Sequence, residues 1–268
     1  MAHRIEITGA GSGLGEAVAR QFADREGVMH DLIGGRREGE LQRVAELTGA
    51  DTFTVGDLFQ PGSQPYNTMM RTRATVVVHC AAINVDSLRD QREEAERLAN
   101  LQTGFLTGFI DTLKSKPTGS GRLFVAVNSI AAFFAREIKR AREGSPYAVM
   151  KMQQADIIAA ARDSLRTAGV EVVVVHPGAI RTAMIQDLGE DDKVLRTANA
   201  FGSRLKGVPG RPNGLNQDRV FEPHEVAEPI AKLVMHYLAN GNVPPELREW
   251  IMVNADDLQA EFELSASS

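Results

Sequence analysis

Short apolar runs alternate along the chain with longer stretches in which apolar residues return every three or four positions. That alternation is the mark of repeated βαβ units, which build a parallel sheet covered by helices on both faces. The runs predict strands at 4–8, 29–34, 52–55, 75–80, 122–128, 171–176 and 250–253. Between them Leu98, Leu101, Phe105 and Phe109 recur at helical spacing, and so do Val226, Ile230, Leu233 and Tyr237. Both stripes read as core packing. No internal repeat, low-complexity tract or linker divides the pattern, so one domain over residues 1–268 is expected.

Two features resist this scheme. Strands buried in a parallel sheet should be nearly continuous apolar runs, yet Glu6 and Asp31 interrupt the first two. Two prolines and a glycine within 60–65 should shorten or break any helix between the third and fourth strands. The Gly-, Pro- and Asn-rich stretch 202–216 reads as a loop.

Composition narrows the function. With 43% hydrophobic residues the chain can bury a large core, and a net charge of -5 offers nucleic acid no basic face. The single cysteine, Cys80, cannot form an intrachain disulfide and lies in an apolar run, which fits a reducing compartment. The N-terminus enters a strand almost at once, without a signal pattern, and no apolar stretch has membrane-spanning length. A cytoplasmic protein without membrane partners is expected. The six histidines show no ligand spacing, so no metal site is expected.

The strongest local signal follows the first strand, where Thr8-Gly9-Ala10-Gly11-Ser12-Gly13-Leu14-Gly15 leads into the helical pattern of 16–22. Glycines at such a turn let the backbone approach a pyrophosphate, whose charge then sits among the unpaired N–H groups of the helix N-terminus. Gly9, Gly11, Ser12, Gly13, Leu14 and Gly15 are therefore candidate cofactor contacts. The fold expected is α/β, a Rossmann-type doubly wound three-layer αβα sandwich with a seven-stranded parallel sheet. At the end of the second strand a carboxylate would accept from the ribose 2′-OH of NAD, whereas arginine accommodates the 2′-phosphate of NADP. The sequence there is Gly34-Gly35-Arg36-Arg37, which favours NADP(H) by charge and by bidentate geometry. Asp57 and Leu58, ending the third strand, could bracket adenine; a loop-capping aspartate is the competing reading.

Tyr147 and Lys151 stand four residues apart in a helical pattern, hence on one helix face. A free phenol has a pKa of about 10, and a neighbouring ammonium lowers it, so Lys151 can activate Tyr147 as acid or base. Ser129 ends a predicted strand, where sheets of this type present ligand-binding groups, and can donate to a substrate oxygen. It lacks the Gly-x-Ser-x-Gly turn of a serine hydrolase.

Taken together, the glycine turn, the strand-end serine and the Tyr-x-x-x-Lys helix resemble the short-chain dehydrogenase/reductase family, over about Arg4 to Val253. The resemblance implies that Ser129 orients a carbonyl, Tyr147 transfers the proton, and Lys151 binds the nicotinamide ribose while lowering the tyrosine pKa. It implies that Asn100 is the helix-interrupting asparagine that holds a proton-relay water; a helix-interior asparagine with a solvent-facing side chain is the competing reading. It also implies that Pro177, Gly178, Ile180 and Thr182 touch the nicotinamide half. Two departures stand out. His79-Cys80-Ala81-Ala82 replaces the family's Asn-Asn-Ala-Gly, with Ala81 and Ala82 still small enough for close cofactor approach. A charged stretch at 136–143 lengthens the spacer between Ser129 and Tyr147.

The expected protein is an NADP(H)-dependent oxidoreductase that reduces a small ketone or aldehyde, or oxidises the matching secondary alcohol. The alternative is a nonenzymatic NADP(H)-binding regulatory protein on the same fold; a nucleotide-dependent isomerase or dehydratase is a further rival. A substrate lid is expected at 183–219, where Phe201, Leu205, Val208 and Leu215 offer an apolar cover and Arg204, Lys206 and Arg211 could meet an anion. The resemblance also implies a homodimer or homotetramer built on the helices containing Asn100 and Tyr147.

Overall fold

Valine runs such as Val76-Val77-Val78 and Val172-Val173-Val174-Val175 form interior strands of the sheet, where stiff β-branched side chains pack well on both faces. The computed structural model describes residues 3–23, 25–83, 85–88, 91–115, 121–133, 145–183, 217 and 219–252. The strands are β1 (His3–Thr8), β2 (Val28–Ile33), β3 (Thr52–Thr54), β4 (Val76–His79), β5 (Arg122–Val127), β6 (Val170–Pro177) and β7 (Glu249–Met252). They form one seven-stranded sheet in the order β3-β2-β1-β4-β5-β6-β7, every pair parallel. Each strand lies within two residues of its predicted bounds; Val253 falls outside the described residues.

The helices are α1 (Gly13–Gln21), α2 (Glu38–Thr48), α3 (Gln64–Met69), α4 (Arg92–Ser115), α5 (Pro146–Thr167) and α6 (Pro223–Asn240). Alternate strand residues divide between two apolar layers. On one face Ile5, Ile7, Leu32, Val78, Leu123 and Val175 pack against α1, α2 and α6 through Val18, Leu41, Val226, Ile230, Leu233 and Tyr237. On the other, Val77, Phe124, Val172 and Val174 pack against α4 and α5 through Phe105, Phe109, Leu113 and Ile158. The expected doubly wound αβα sandwich is the observed fold. As the prolines required, α3 is only six residues long, with Pro65 in its first turn and the Ser63 hydroxyl capping it from Tyr66 N at 3.2 Å. Among the described residues no helix is long and apolar enough to cross a membrane.

The two misfit carboxylates are neighbours. Glu6 stands beside Asp31 in the β1–β2 register, in the middle of the two strands. Asp31 is paired with Arg4 Nε at 2.5 Å and accepts from the Thr52 hydroxyl at 2.6 Å. Glu6 is 5% exposed, and among the described residues its Oε2 has no hydrogen-bond partner. Burial is the main force that raises its pKa to about 7; the Thr72 hydroxyl bond opposes the shift, Asp31 adds to it, and Arg4 and Arg122 oppose it more weakly.

A carboxyl whose folded pKa exceeds its unfolded value holds its proton more tightly when folded, so stability falls as pH rises between the two values. Wild-type protein is therefore expected to lose stability between pH 5 and 8, by an amount on the order of 3 kcal/mol from this group alone. Glu6→Gln removes the titration. Thermal melting of both proteins across that range checks it: the wild-type Tm should fall more steeply with pH than that of the variant, and parallel curves would refute the assignment.

Candidate active site

In an open α/β sheet ligands bind where neighbouring connections leave in opposite directions, outside the C-terminal strand ends. Here that point lies between β1 and β4. Thr8 closes β1, fully buried, and its hydroxyl accepts from Ala81 N at 3.2 Å and lies 2.8 Å from His79 Nδ1. Burial holds the His79 pKa down to about 3, with Lys151 adding to the effect. The neutral imidazole can therefore take the single Thr8 hydroxyl proton at Nδ1. The ring also stacks on Phe105, with centroids 5.5 Å apart. Histidine thus replaces asparagine without an unpaired charge.

The glycine turn fits against this clamp. Gly9 has φ +70°, and a Cβ there would lie 2.8 Å from Ala81 Cα; a Cβ on Gly15 would overlap the Gly9 carbonyl. Ser12 is the N-cap of α1 and makes no side-chain hydrogen bond into the helix, so it does not cap the first-turn N–H groups. Leu14 is buried in the core, whereas Gly11 is partly open beside Leu41. Gly13 faces the Thr182 methyl, which would lie 3.1 Å from a Cβ at that position. The turn after β1 and the segment after β6 therefore approach each other across the crevice.

At the end of β2, Arg36 and Arg37 are both exposed, and Arg37 Nη2 donates to the Ser12 hydroxyl at 3.2 Å. Arg37 Nη1 also lies 3.9 Å from Glu40. Asp57 Oδ1 accepts from Phe59 N at 2.9 Å, which is the loop-capping role. Leu58 turns into the core beside Phe59 and Met69, so of this pair only Asp57 keeps a side chain near the surface.

The strand-end serine and the helix pair are joined through β5. Ser145 caps α5 by accepting from Ala148 N at 3.1 Å, and Pro146 opens the helix, which puts Tyr147 in its first turn. Lys151 Nζ lies 5.8 Å from the centroid of the Tyr147 ring and 3.5 Å from Val127 O. Burial lowers the Lys151 pKa to about 8. Asn128 Nδ2 donates to Lys151 O at 3.1 Å, pinning this turn of α5 to the end of β5. Ser129 follows directly; its hydroxyl accepts from Ala131 N at 3.1 Å, and its carbonyl accepts from His176 Nδ1 at 3.3 Å. Burial pushes the Cys80 thiol up to about 12, so the cysteine stays protonated beside the lysine.

Asn100 is placed differently from the expectation. Helix α4 runs unbroken through it, and its side chain is exposed. The inward stripe of α4 is Ala95, Ala99, Gln102, Leu106, Phe109 and Leu113, at steps of three and four, and Asn100 falls off that stripe. Gln102 points inward instead, 1% exposed, with Oε1 accepting from Ile83 N at 2.8 Å and Nε2 reaching Ile83 O at 3.5 Å. It fixes the chain just past Ala81 and Ala82. Asn100 and Gln102 are two residues apart and so stand on different faces of α4.

After β6, Pro177 is buried and Gly178 N donates to Met252 O at 2.8 Å. Ile180 pairs with Phe221 in a parallel bridge and buries its side chain, leaving its backbone and Thr182 at the crevice. The charged stretch 136–143 lies outside the described residues, as does the expected lid, including all its named apolar and basic residues, apart from Ala183, Gln217 and Arg219.

The sequence model of the short chain dehydrogenase family matches residues 3–193. A sepiapterin reductase from Chlorobaculum tepidum is 26% identical over 204 residues, covering 69% of this chain and 80% of its own. A short-chain dehydrogenase from Sphingobium yanoikuyae in complex with NADPH superposes with a TM-score of 0.61 at 21% identity, over 93% of this chain and 86% of its own. A 3-oxoacyl-[acyl-carrier protein] reductase from Brucella melitensis in complex with NAD gives a TM-score of 0.64 at 18% identity, over 95% and 96%.

The placement of α4 is testable by a pair of variants. Gln102→Leu strands the backbone groups of Ile83 and should cost about 1–3 kcal/mol in urea denaturation. Asn100→Ala, at an exposed position, should stay within about 0.5 kcal/mol of wild type. The reverse order would overturn the helix register.

Proposed function

Because the chain belongs to the short-chain dehydrogenase family, we propose that it is an NADP(H)-dependent oxidoreductase that reduces a small ketone or aldehyde, or oxidises the matching secondary alcohol, with Tyr147 transferring the proton. The observation that carries this reading is the Tyr147–Lys151 pair, the ammonium 5.8 Å from the phenol ring and itself buried. An ammonium in a dry site acts on a neighbouring phenol far more strongly than one in water.

The residues present fit a dinucleotide. The N–H groups opening α1 lack a side-chain cap from Ser12, and Gly9 lies so close to Ala81 that a Cβ would collide. Gly9, Gly11, Ser12, Gly13, Leu14 and Gly15 would hold the pyrophosphate. Arg36 and Arg37, with Asp57 nearby, would hold the adenosine end, and Ala81, Ala82, Pro177, Gly178, Ile180 and Thr182 the nicotinamide end. When bound, the cofactor supplies or accepts the hydride.

In the reductive direction Tyr147 protonates the oxygen of the substrate, and Ser129 donates a hydrogen bond to the same atom as negative charge develops on it. Lys151 favours the phenolate left behind and thereby eases the transfer. The relative named a sepiapterin reductase supports the reductive direction. NADP(H) over NAD(H) rests on two exposed guanidinium groups, one already reaching the glycine turn at Ser12, and on the absence of an acid at Gly34 and Gly35.

Two measurements test the proposal. Tyr147→Phe should lower the rate of carbonyl reduction, followed by reduced-nicotinamide absorbance, by about 10²–10⁴-fold while NADPH binding is retained. Unchanged turnover removes Tyr147 as the acid; NADPH binding by the wild type without turnover across a broad carbonyl panel would favour the regulatory binder. Replacing Arg36 and Arg37 with Ala should weaken NADPH by about tenfold to a hundredfold and NADH little. Equal losses would remove phosphate recognition by this pair.

A further inference from the structure

The Pro-Gly turn after β6 is held from behind by one side chain. Gln217 is 2% exposed; its Oε1 accepts from Ala179 N at 2.6 Å, and its Nε2 donates to Ala179 O at 2.8 Å and to Arg219 O at 2.5 Å. Both backbone groups of Ala179 are thus taken by a single amide, as an adjacent strand would take them. Gly178 is packed on the same group: a Cβ there would lie 2.5 Å from Gln217 Oε1 and 2.8 Å from its Cδ. The next residues are fixed in turn, with Arg181 N donating to Phe221 O at 2.7 Å and Phe221 N donating to Ala179 O at 3.0 Å. Arg181 Nε is also paired with Glu222 at 2.6 Å.

Only an amide satisfies this position. The Ala179 N–H needs an acceptor, and the Ala179 and Arg219 carbonyls face the same side chain, so the partner must accept and donate; a carboxylate can only accept, and asparagine is one methylene too short. The turn so held carries Thr182 up to Gly13, where its methyl would lie 3.1 Å from a Cβ. Its position therefore sets the gap between the two lips of the crevice at this end. The arginines leave from β2, and β1, β4 and β5 lie between β2 and β6. The strands themselves are thus about 19 Å apart at the usual spacing, and Gln217 grips the turn at Ala179, on its β6 side.

We propose that Gln217 is a positioning residue for the nicotinamide half of the cofactor site, holding the 177–182 turn at the distance a dinucleotide requires and leaving the adenosine half untouched. The inference rests on the cofactor reading above. Its signature is a split between two ligands: one that spans both halves and one that lacks nicotinamide.

Titration calorimetry of wild type, Gln217→Ala and Gly178→Ala with NADPH and with 2′-phospho-ADP-ribose tests it, with circular dichroism confirming that each protein is folded. Gln217→Ala should weaken NADPH by about tenfold or more, as expected when the Ala179 N–H loses its acceptor and the turn its brace, and leave the nicotinamide-free ligand unchanged. Gly178→Ala attacks the same contact from the other side and should give the same split if the first variant does not fold. Equal weakening of both ligands, or no weakening of NADPH, overturns the proposal. A wild type that binds 2′-phospho-ADP-ribose with NADPH no tighter places no nicotinamide half in this crevice and overturns it as well. A wild type that binds neither ligand defeats the cofactor reading itself, and this inference with it.

Discussion

The hydroxyl of Thr8 is the contact on which the crevice depends. Where β1 and β4 separate, their connections leave in opposite directions, and the strand ladder cannot continue to hold the two lips. Thr8 replaces it, bonding Ala81 N on the far lip and the His79 ring at the strand end. A methyl group in the same volume would leave both partners unpaired in a buried site, at about 1–3 kcal/mol for each. Gly9 follows at once and is so close to Ala81 that no side chain fits. The spacing of the lips is thus set by one bond and one missing side chain.

Among the described residues, buried charge falls into two groups. Glu6 and Asp31 lie side by side in the middle of β1 and β2, with Arg4 and Arg122 nearer the strand starts, and the two oxygens of Asp31 are taken by a cation and a hydroxyl. At the C-terminal strand ends Lys151 is buried beside a neutral His79 and a protonated Cys80. The two groups differ in what the cost does. Around Glu6 it only destabilises the charged carboxyl. Next to Tyr147 it places an ammonium in a dry setting, where its field on a neighbouring phenol is strong.

What the sequence made legible follows from range. The seven strands and the α4 and α6 stripes rest on local patterns, and those patterns carried through to the structure within a residue or two. Glu6 and Asp31 broke the local rule because their explanation is nonlocal: register puts them side by side, and Arg4, Thr52 and Thr72 come from three different segments. His79 was visible as a departure, but its pairing with Thr8 and its stacking on Phe105 were not. Leu58 looked available to a ligand from its place at a strand end, yet the core beneath α3 claims it. Asn100 matched the family by residue type, and the structure shows the competing reading, a solvent-facing side chain inside an unbroken helix.

The two glutamines explain why part of the site escapes any short motif. Loops leaving a buried sheet carry backbone groups that have lost their ladder partners, and each such group must be paired or it costs stability. Gln102 serves Ile83 after β4, and Gln217 serves Ala179 after β6; each offers the donor and acceptor that a neighbouring strand would have offered. A side-chain amide can do this from a helix or from an irregular segment, without requiring the loop itself to be regular. The loops can therefore stay free to shape a crevice and still be held rigidly. Nothing in the local sequence marks either residue, because its partner is defined only once the sheet has brought distant segments together. What looks from the sequence like two ordinary polar positions is in the folded chain the substitute for missing strands on both sides of the candidate site.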